Sequence, residues 1–195
     1  MNPNPKNISE IEGREFHKQD HSKVVFAGNT FSNCLFDNCQ FIESNWYQAQ
    51  FRNCTFKNCN ITMVNLESCR LHDVEFYECK IVGGNFHKCE KMFFFFKAEG
   101  CILISCNFSD LAMKRFSFRN SRIKECHFLR TELVDGDFRM ADLLGTTFHE
   151  CKLARADFRG ASNYSIDPKN NDIKEAKFSL PEAASLLDHF DIIID

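Results

Sequence analysis

The sequence predicts an all-β solenoid, and three observations carry that reading. A large apolar residue returns at every fifth position through most of the stretch from Val24 to Gly160. Its first half runs Phe26, Phe31, Phe36, Phe41, Trp46, Phe51, Phe56, Ile61, Leu66, Leu71, Phe76, Ile81, Phe86. A helix repeats near 3.6 residues and a strand near 2, so neither accounts for a period of five. The position two before each large residue is small or aliphatic, as in Cys34, Cys39, Ser44, Ala49, Cys54 and Cys59. Residues twenty apart are alike, Cys34 with Cys54, Cys39 with Cys59 and Cys79, Phe36 with Phe56 and Phe76. Such a pattern buries two residues per repeat only if the chain turns a corner each time, and stacked coils then build a continuous core.

The eleven cysteines obey the same rule. Cys34, Cys39, Cys54, Cys59, Cys69, Cys79 and Cys89, then Cys101, Cys106, Cys126 and Cys151 in the second register, each lie two residues before a position of the five-residue series. A metal site needs a few converging ligands at special spacing, and no CxxC occurs. Small, reduced, buried thiols packed as apolar groups account for the uniform slot.

Residues 1–23 are polar, and Ile11 and Phe16 fall on the five-residue count, so this segment is expected to form a degenerate coil or cap beginning near Ile8. The repeats occupy 24–160. After Cys89 the count resumes two residues late, at Phe93, Ala98, Leu103, Phe108, Met113, Phe118 and onward to Phe158. Two extra residues therefore enter near Glu90-Lys91-Met92, which predicts a bulge within 90–96. Alternation cannot bury all of Phe93 to Phe96. Phe94 or Phe95 either packs on the outside of the bulge or forms an exposed contact patch. Phe116, large where a small residue is expected, is placed beside Met113.

Residues 161–195 hold a partial last coil, a capping helix and a tail. Ser179 and Glu182 form a capping-box pattern with Pro181 in the first turn, which predicts a helix from about Leu180 to His189 with Leu180, Ala183, Leu187 and Phe190 on the face that closes the core. Beyond it, Ile192, Ile193 and Ile194 are hard for a monomer to bury.

The Asn or Asp that often precedes the large residue, as in Asn45, Asn60, Asn65 and Asn85, completes a motif that resembles the pentapeptide repeat family: a small residue, Asp or Asn, Leu or Phe, and two variable residues. Ala141-Asp142-Leu143-Leu144-Gly145 and Ala156-Asp157-Phe158-Arg159-Gly160 fit it most closely, and the pattern covers about seventy per cent of the chain. The resemblance implies a right-handed quadrilateral β-helix with one repeat per side and a short C-terminal α-helix with apolar tail. At roughly 4.8 Å between stacked strands, about seven coils would make a rod on the order of 33 Å long.

The formal charge is −3, but residues 24–160 carry 17 Lys and Arg against 16 Asp and Glu, and the remainder 7 against 11. At twenty-residue spacing the outer charges alternate in sign, as in Asp110, Arg130, Glu150 and in Arg115, Asp135, Arg155, with Glu132 beneath Lys152. Arg119, Arg139 and Arg159 each follow a central phenylalanine and form a vertical arginine ladder. Asp137 and Asp157 lie two residues before the last two, so the ladder is either neutralised or a contact for an acidic partner or phosphate.

No Gly-rich phosphate loop, GxSxG or HExxH occurs, so no enzyme and no cofactor is expected. His72, His87, His127 and His149 flank central residues and should face outward and apart, while Asp135, Asp137 and Asp142 take structural slots. The start MNPNPKNISEIEGREF lacks an apolar core, and the longest apolar runs are too short to span a bilayer, which predicts a cytoplasmic protein.

In the quinolone-resistance (Qnr) members that the chain resembles, a C-terminal helix and apolar tail pair two rods end to end. The resemblance thus implies a homodimer through Leu187, Phe190, Ile192, Ile193 and Ile194, the other reading being a monomer whose tail folds back. It also implies DNA gyrase or topoisomerase IV as partner, without direct nucleic-acid or membrane binding. The near-neutral solenoid departs from the acidic, DNA-like rods of those relatives. A general scaffold that holds another protein through a flat β face, the Phe93–Phe96 bulge or the arginine ladder is the second reading.

Overall fold

The computed structural model describes residues 9–92, 94–113, 115–190 and 192–193. Ile8, Phe93 and Ile194, singled out above, lie outside the described residues. The chain forms a right-handed, four-sided parallel β-helix of about eight coils with one short C-terminal helix. The strands are mostly three residues long with a buried centre, because each repeat must turn a corner before the next begins.

Three faces show the stacking directly. The first joins Glu10–Glu12, Thr30–Ser32, Gln50–Arg52 and Arg70–His72. The second runs from Glu15–His17 through Leu35–Asp37, Thr55–Lys57 and Val74–Tyr77 to Phe96–Glu99. The third joins Asn60–Thr62, Lys80–Val82, Ile102–Ile104 and Arg122–Lys124. Bridges such as Val25 to Asn45 to Asn65 make the fourth, which ends in His127–Leu129, Thr147–His149 and Ser165–Ile166. Register follows the inner ladders: Phe31 pairs with Phe51, Phe36 with Phe56, and Ile61 with Ile81.

The core is a set of aromatic columns. Phe16, Phe36, Phe56 and Phe76 stack with centroids 4.7, 4.7 and 5.1 Å apart, and Phe86, Phe108, Phe128 and Phe148 at 4.8, 4.9 and 5.0 Å. Those separations follow from the strand spacing, and near-parallel rings in contact add to simple burial. Ile11 and Phe16 are partly buried against this core, so residues before Val24 already contribute a coil.

The two-residue insertion appears as a register of twenty-two across the break: Ile81 pairs with Leu103 and Phe76 with Ala98. Here the large and small slots exchange contents. Phe96 occupies the small slot opposite Val74, while Ala98 takes the large slot opposite Phe76, and both are fully buried. The swap conserves core volume, which well-packed interiors tolerate best. Phe94 is also buried, edge-on to Phe96 at 5.5 Å, and Phe95 is half-buried. Phe116 packs against Phe118 and Phe138 at 4.9 and 5.2 Å.

Most corners use one device. The residue two after the central position has positive φ, for example Asn33, Asn38, Asp110, Arg130, Met63 and Met140 at 55°, 55°, 58°, 51°, 54° and 59°, whereas the corner after Phe86 closes in a 3-10 turn, Phe86–Lys88. Left-handed backbone reverses the chain within one residue, and Asn and Asp reach it at lowest cost after glycine.

The C-terminal helix is of the 3-10 type, Glu182–His189. Three residues per turn align Ala183, Leu186 and His189 toward the core and put Ala184, Leu187 and Phe190 on the outside. This corrects the closing face expected from α periodicity: Leu180, Leu187 and Phe190 are exposed, and Leu186 packs on the core. The capping box does not form, since the Ser179 hydroxyl accepts the Gly160 N–H at 2.8 Å instead. The helix is held by the Ser185 hydroxyl donating to the Tyr164 carbonyl, 3.3 Å, and by Lys169 Nζ donating to the His189 carbonyl, 2.8 Å.

Candidate interaction surfaces

The side chains that could do chemistry point apart. The thiols face inward: all eleven cysteines are free and buried. Each rung is tied to its neighbours, as where the Cys54 thiol donates toward the carbonyls of Phe31 and Arg52, both at 3.4 Å. Burial pushes the Cys54 thiol up to about 11. A buried, protonated thiol is a poor nucleophile and a poor metal ligand. Among the described residues no group of three or more His, Cys, Asp or Glu could hold a metal ion. His72 lies beside Asp73 at 3.2 Å, His127 beside Thr147 at 3.0 Å and His149 beside Glu150 at 3.6 Å, on different coils.

What the molecule offers is surface, and four regions stand out. The first is the C-terminal end, where Leu180, Leu187, Phe190, Ile192 and Ile193 are all exposed, Ile193 at 91%. Lys169 sits 4.7 Å over the Phe190 ring and leaves the rest of this cluster uncovered. Leu187, Phe190, Ile192 and Ile193 are four of the five residues expected to mediate self-association; the fifth, Ile194, lies outside the described residues.

The second is the coil break. With Phe94 turned inward, Phe95 is what remains of the expected aromatic patch. Beside the break on the first face, a groove of about 630 Å³ opens between Arg52, Arg70, Leu71, Glu90 and Met92. It exists because the strand after Arg70–His72 is displaced by the insertion, so that the Phe95 N–H reaches the Leu71 carbonyl at 3.1 Å.

The third is the arginine column. Arg139 donates to Asp137 through Nε and Nη2 at 2.9 and 2.6 Å, and its Nε lies 4.0 Å from Asp157. Arg159 donates to Asp157 at 2.9 and 2.6 Å. Burial works against the Asp137 charge, but the Arg139 guanidinium still holds its carboxyl below the usual range. Two of the three arginines are thus neutralised. Arg119 differs because Ser117 stands where the carboxylate would be, its hydroxyl accepting the Arg119 N–H at 3.4 Å.

The fourth was missed by sequence reasoning. On the third face the outward residues Ile42, Thr62, Val82 and Ile104 form a column, flanked by exposed Ile102 and Leu144. Reading the outer positions at twenty-residue spacing, and at twenty-two across the break, would have revealed this apolar stripe as it revealed the arginines.

Elsewhere the surface is charge-paired. Arg130 donates twice to Asp110 at 2.7 and 3.0 Å, Arg155 twice to Asp135 at the same distances, and Lys152 to Glu132 at 2.6 Å. The paired arginines hold Asp110 and Asp135 below the usual carboxylate range. Exposed pairs of this kind fix register more than they add stability.

Two family models match the chain: a pentapeptide repeat region over residues 29–98, and eight-copy pentapeptide repeats over 126–162, together more than half of its length. No curated protein matches at a significant level. Among solved structures, the chain is similar to trypsin-treated QnrB1, a plasmid-mediated fluoroquinolone resistance protein, with a TM-score of 0.58 and 17% identity over 95% of this chain and 91% of that one. Full-length QnrB1 gives 0.54 and 14% identity over 94% and 100%. At that identity the likeness is one of fold, and it extends over nearly all of both chains.

Proposed function

Because this chain belongs to the pentapeptide repeat family, we propose that it is a non-enzymatic, protein-binding rod that binds DNA gyrase or topoisomerase IV and protects it from fluoroquinolones. The observation that supports this most is the likeness in fold to QnrB1, a fluoroquinolone resistance protein, over nearly all of both chains; the C-terminal segment adds a second observation. That segment presents Leu187, Phe190, Ile192 and Ile193 to solvent, an apolar set suited to a second copy of itself. The active form in this reading is a homodimer joined at its C-terminal ends. A rod whose outward charges are engaged in pairs along its faces suits recognition of a large partner better than turnover of a small one.

The purified protein, added to gyrase in a supercoiling assay with and without a fluoroquinolone, should restore activity in the presence of the drug. Absence of both protection and inhibition at micromolar protein would remove the gyrase reading. The second reading, a scaffold for another protein, is favoured by the apolar stripe Ile42, Val82, Ile104 on a flat β face and by a surface whose charges are paired instead of uniformly acidic.

A further inference from the structure

We propose that Met63 and Met140 are oxidation sites for a hydroperoxide, and that forming the sulfoxide at either one loosens a corner between two coils. The two residues are structurally equivalent. Each stands at a left-handed corner position, and each lays its side chain along the rod axis onto the glycine twenty residues ahead, Gly83 and Gly160. A Cβ at either glycine would fall on the methionine sulfur, with the methyl carbon 3.6 Å and Cγ 3.8 Å away at Gly83, and Cγ 3.6 Å and the methyl carbon 3.8 Å away at Gly160. The thioether therefore fills the volume where the next coil's side chain would stand.

The same side chains are open to reagent, since Met63 is 59% and Met140 61% exposed. Among the described residues, the other sulfurs are not placed this way. All eleven cysteines and Met113 are buried, and Met92, 70% exposed, lies in the irregular turn of the coil break. Burial also keeps thiols such as Cys54 protonated and so unreactive. In this cysteine-rich chain the peroxide-sensitive sulfur is thus methionine sulfur.

The reaction is a two-electron oxygen transfer. A sulfur lone pair attacks the distal oxygen of the hydroperoxide, the O–O bond breaks, and an S–O bond forms. The departing oxygen leaves as water or an alcohol once it has its proton, so the thioether is oxidised and the peroxide reduced. The sulfoxide is polar and carries an added oxygen on an atom already in close contact with the next coil. Each coil touches only its neighbours, so loss of this contact acts locally, between the coils of Met63 and Gly83 and of Met140 and Gly160.

The test is graded hydrogen peroxide treatment of the intact protein, followed by peptide mass mapping and urea unfolding. Met63 and Met140 should each gain one oxygen while Met113 and the cysteines stay reduced. The urea midpoint should fall with their conversion and return after treatment with methionine sulfoxide reductases. A Met63→Leu, Met140→Leu chain keeps the apolar filling, so its midpoint should not respond to peroxide although Met92 is still oxidised. The proposal is overturned if Met63 and Met140 stay reduced while Met92 converts. It is equally overturned if their full conversion leaves the wild-type midpoint unchanged, if the reductases do not restore it, or if the double variant loses as much stability as the wild type.

Discussion

Phe116 reaches across to Gly136 one coil on, so closely that a Cβ on Gly136 would lie 2.6 Å from Phe116 Cε1 and 2.8 Å from Cζ. Phe116 fills a slot that most coils give to a small or aliphatic residue, and Gly136 vacates the room it takes. Gly136→Ala should therefore destabilise by about 1–3 kcal/mol through overpacking. Adding Phe116→Leu should recover most of the loss, and a double-mutant cycle by urea unfolding measures the coupling. Additive effects of the two changes would refute the pairing.

The small inner slot accepts hydroxyls as readily as thiols. The Ser121 hydroxyl donates to the Ala98 carbonyl at 2.8 Å and Thr131 to Phe108 at 3.1 Å, the bond that the Cys54 thiol makes to Phe31 at 3.4 Å. Cys54→Ser should cost no more than about 1 kcal/mol, because the new hydroxyl inherits a partner. Native protein should also leave its thiols unreacted with a thiol-specific dye until it is unfolded. A loss several times larger, or fast labelling of the folded chain, would contradict that.

His21 sits in a large inner slot of the first coil, stacked on Phe41 at 5.1 Å and edge-on to Phe26 at 5.4 Å, its Nε2 buried and without a partner. Burial lowers its pKa from 6.5, against the pull of Asp20. The unfolded chain then binds the proton more readily, so the stability this residue contributes is complete above pH 6.5 and is lost as pH falls below it. Exposed His17 in the same coil acts in the opposite sense, since Glu15 and then Asp37 raise its pKa. The hydrogen-exchange protection factors of residues 9–29, taken against the intrinsic rate at each pH, should fall between neutral and mildly acidic pH, and less so in His21→Phe. An equal fall in both chains would assign the effect elsewhere.

At the C-terminal end, the homodimer reading predicts that Leu187→Glu with Phe190→Glu halves the mass seen by light scattering while the far-ultraviolet spectrum is retained. Both residues lie on the outer row of the helix, so the change does not disturb Leu186 on the core. A wild-type chain that is already monomeric at tens of micromolar would remove the dimer from the proposed function.

The solenoid, its register break and its paired charges were legible because burial enforces a period, and a period survives in sequence whatever the identities. Phe36 over Phe56 and Arg155 over Asp135 both follow from counting twenty. Three things were not legible, each for a physical reason. Phe94 and Phe96 both turn inward because Ala98 cedes its space, which depends on neighbours the period does not specify. Leu187 and Phe190 face out because the last helix winds with three residues per turn, a choice made by the Tyr164 and Lys169 contacts and not by local propensity. The outer stripe of Ile42, Val82 and Ile104 was hidden because burial enforces residue type only at the inward positions, so an apolar outward residue breaks no period.

The left-handed corners impose a sieve on the surface that no charge pattern reveals. Among the described residues, the non-glycine corner positions are Lys, Asn, Glu, Gln, Met, Ser, Asp and Arg, and none is β-branched, aromatic or proline. A branched Cβ clashes in that backbone region, so each corner trades charge freely but never shape. Substitution can therefore repaint this rod's electrostatics almost at will while its outline stays fixed, and lineages of such rods can diverge in whom they meet long before they diverge in form.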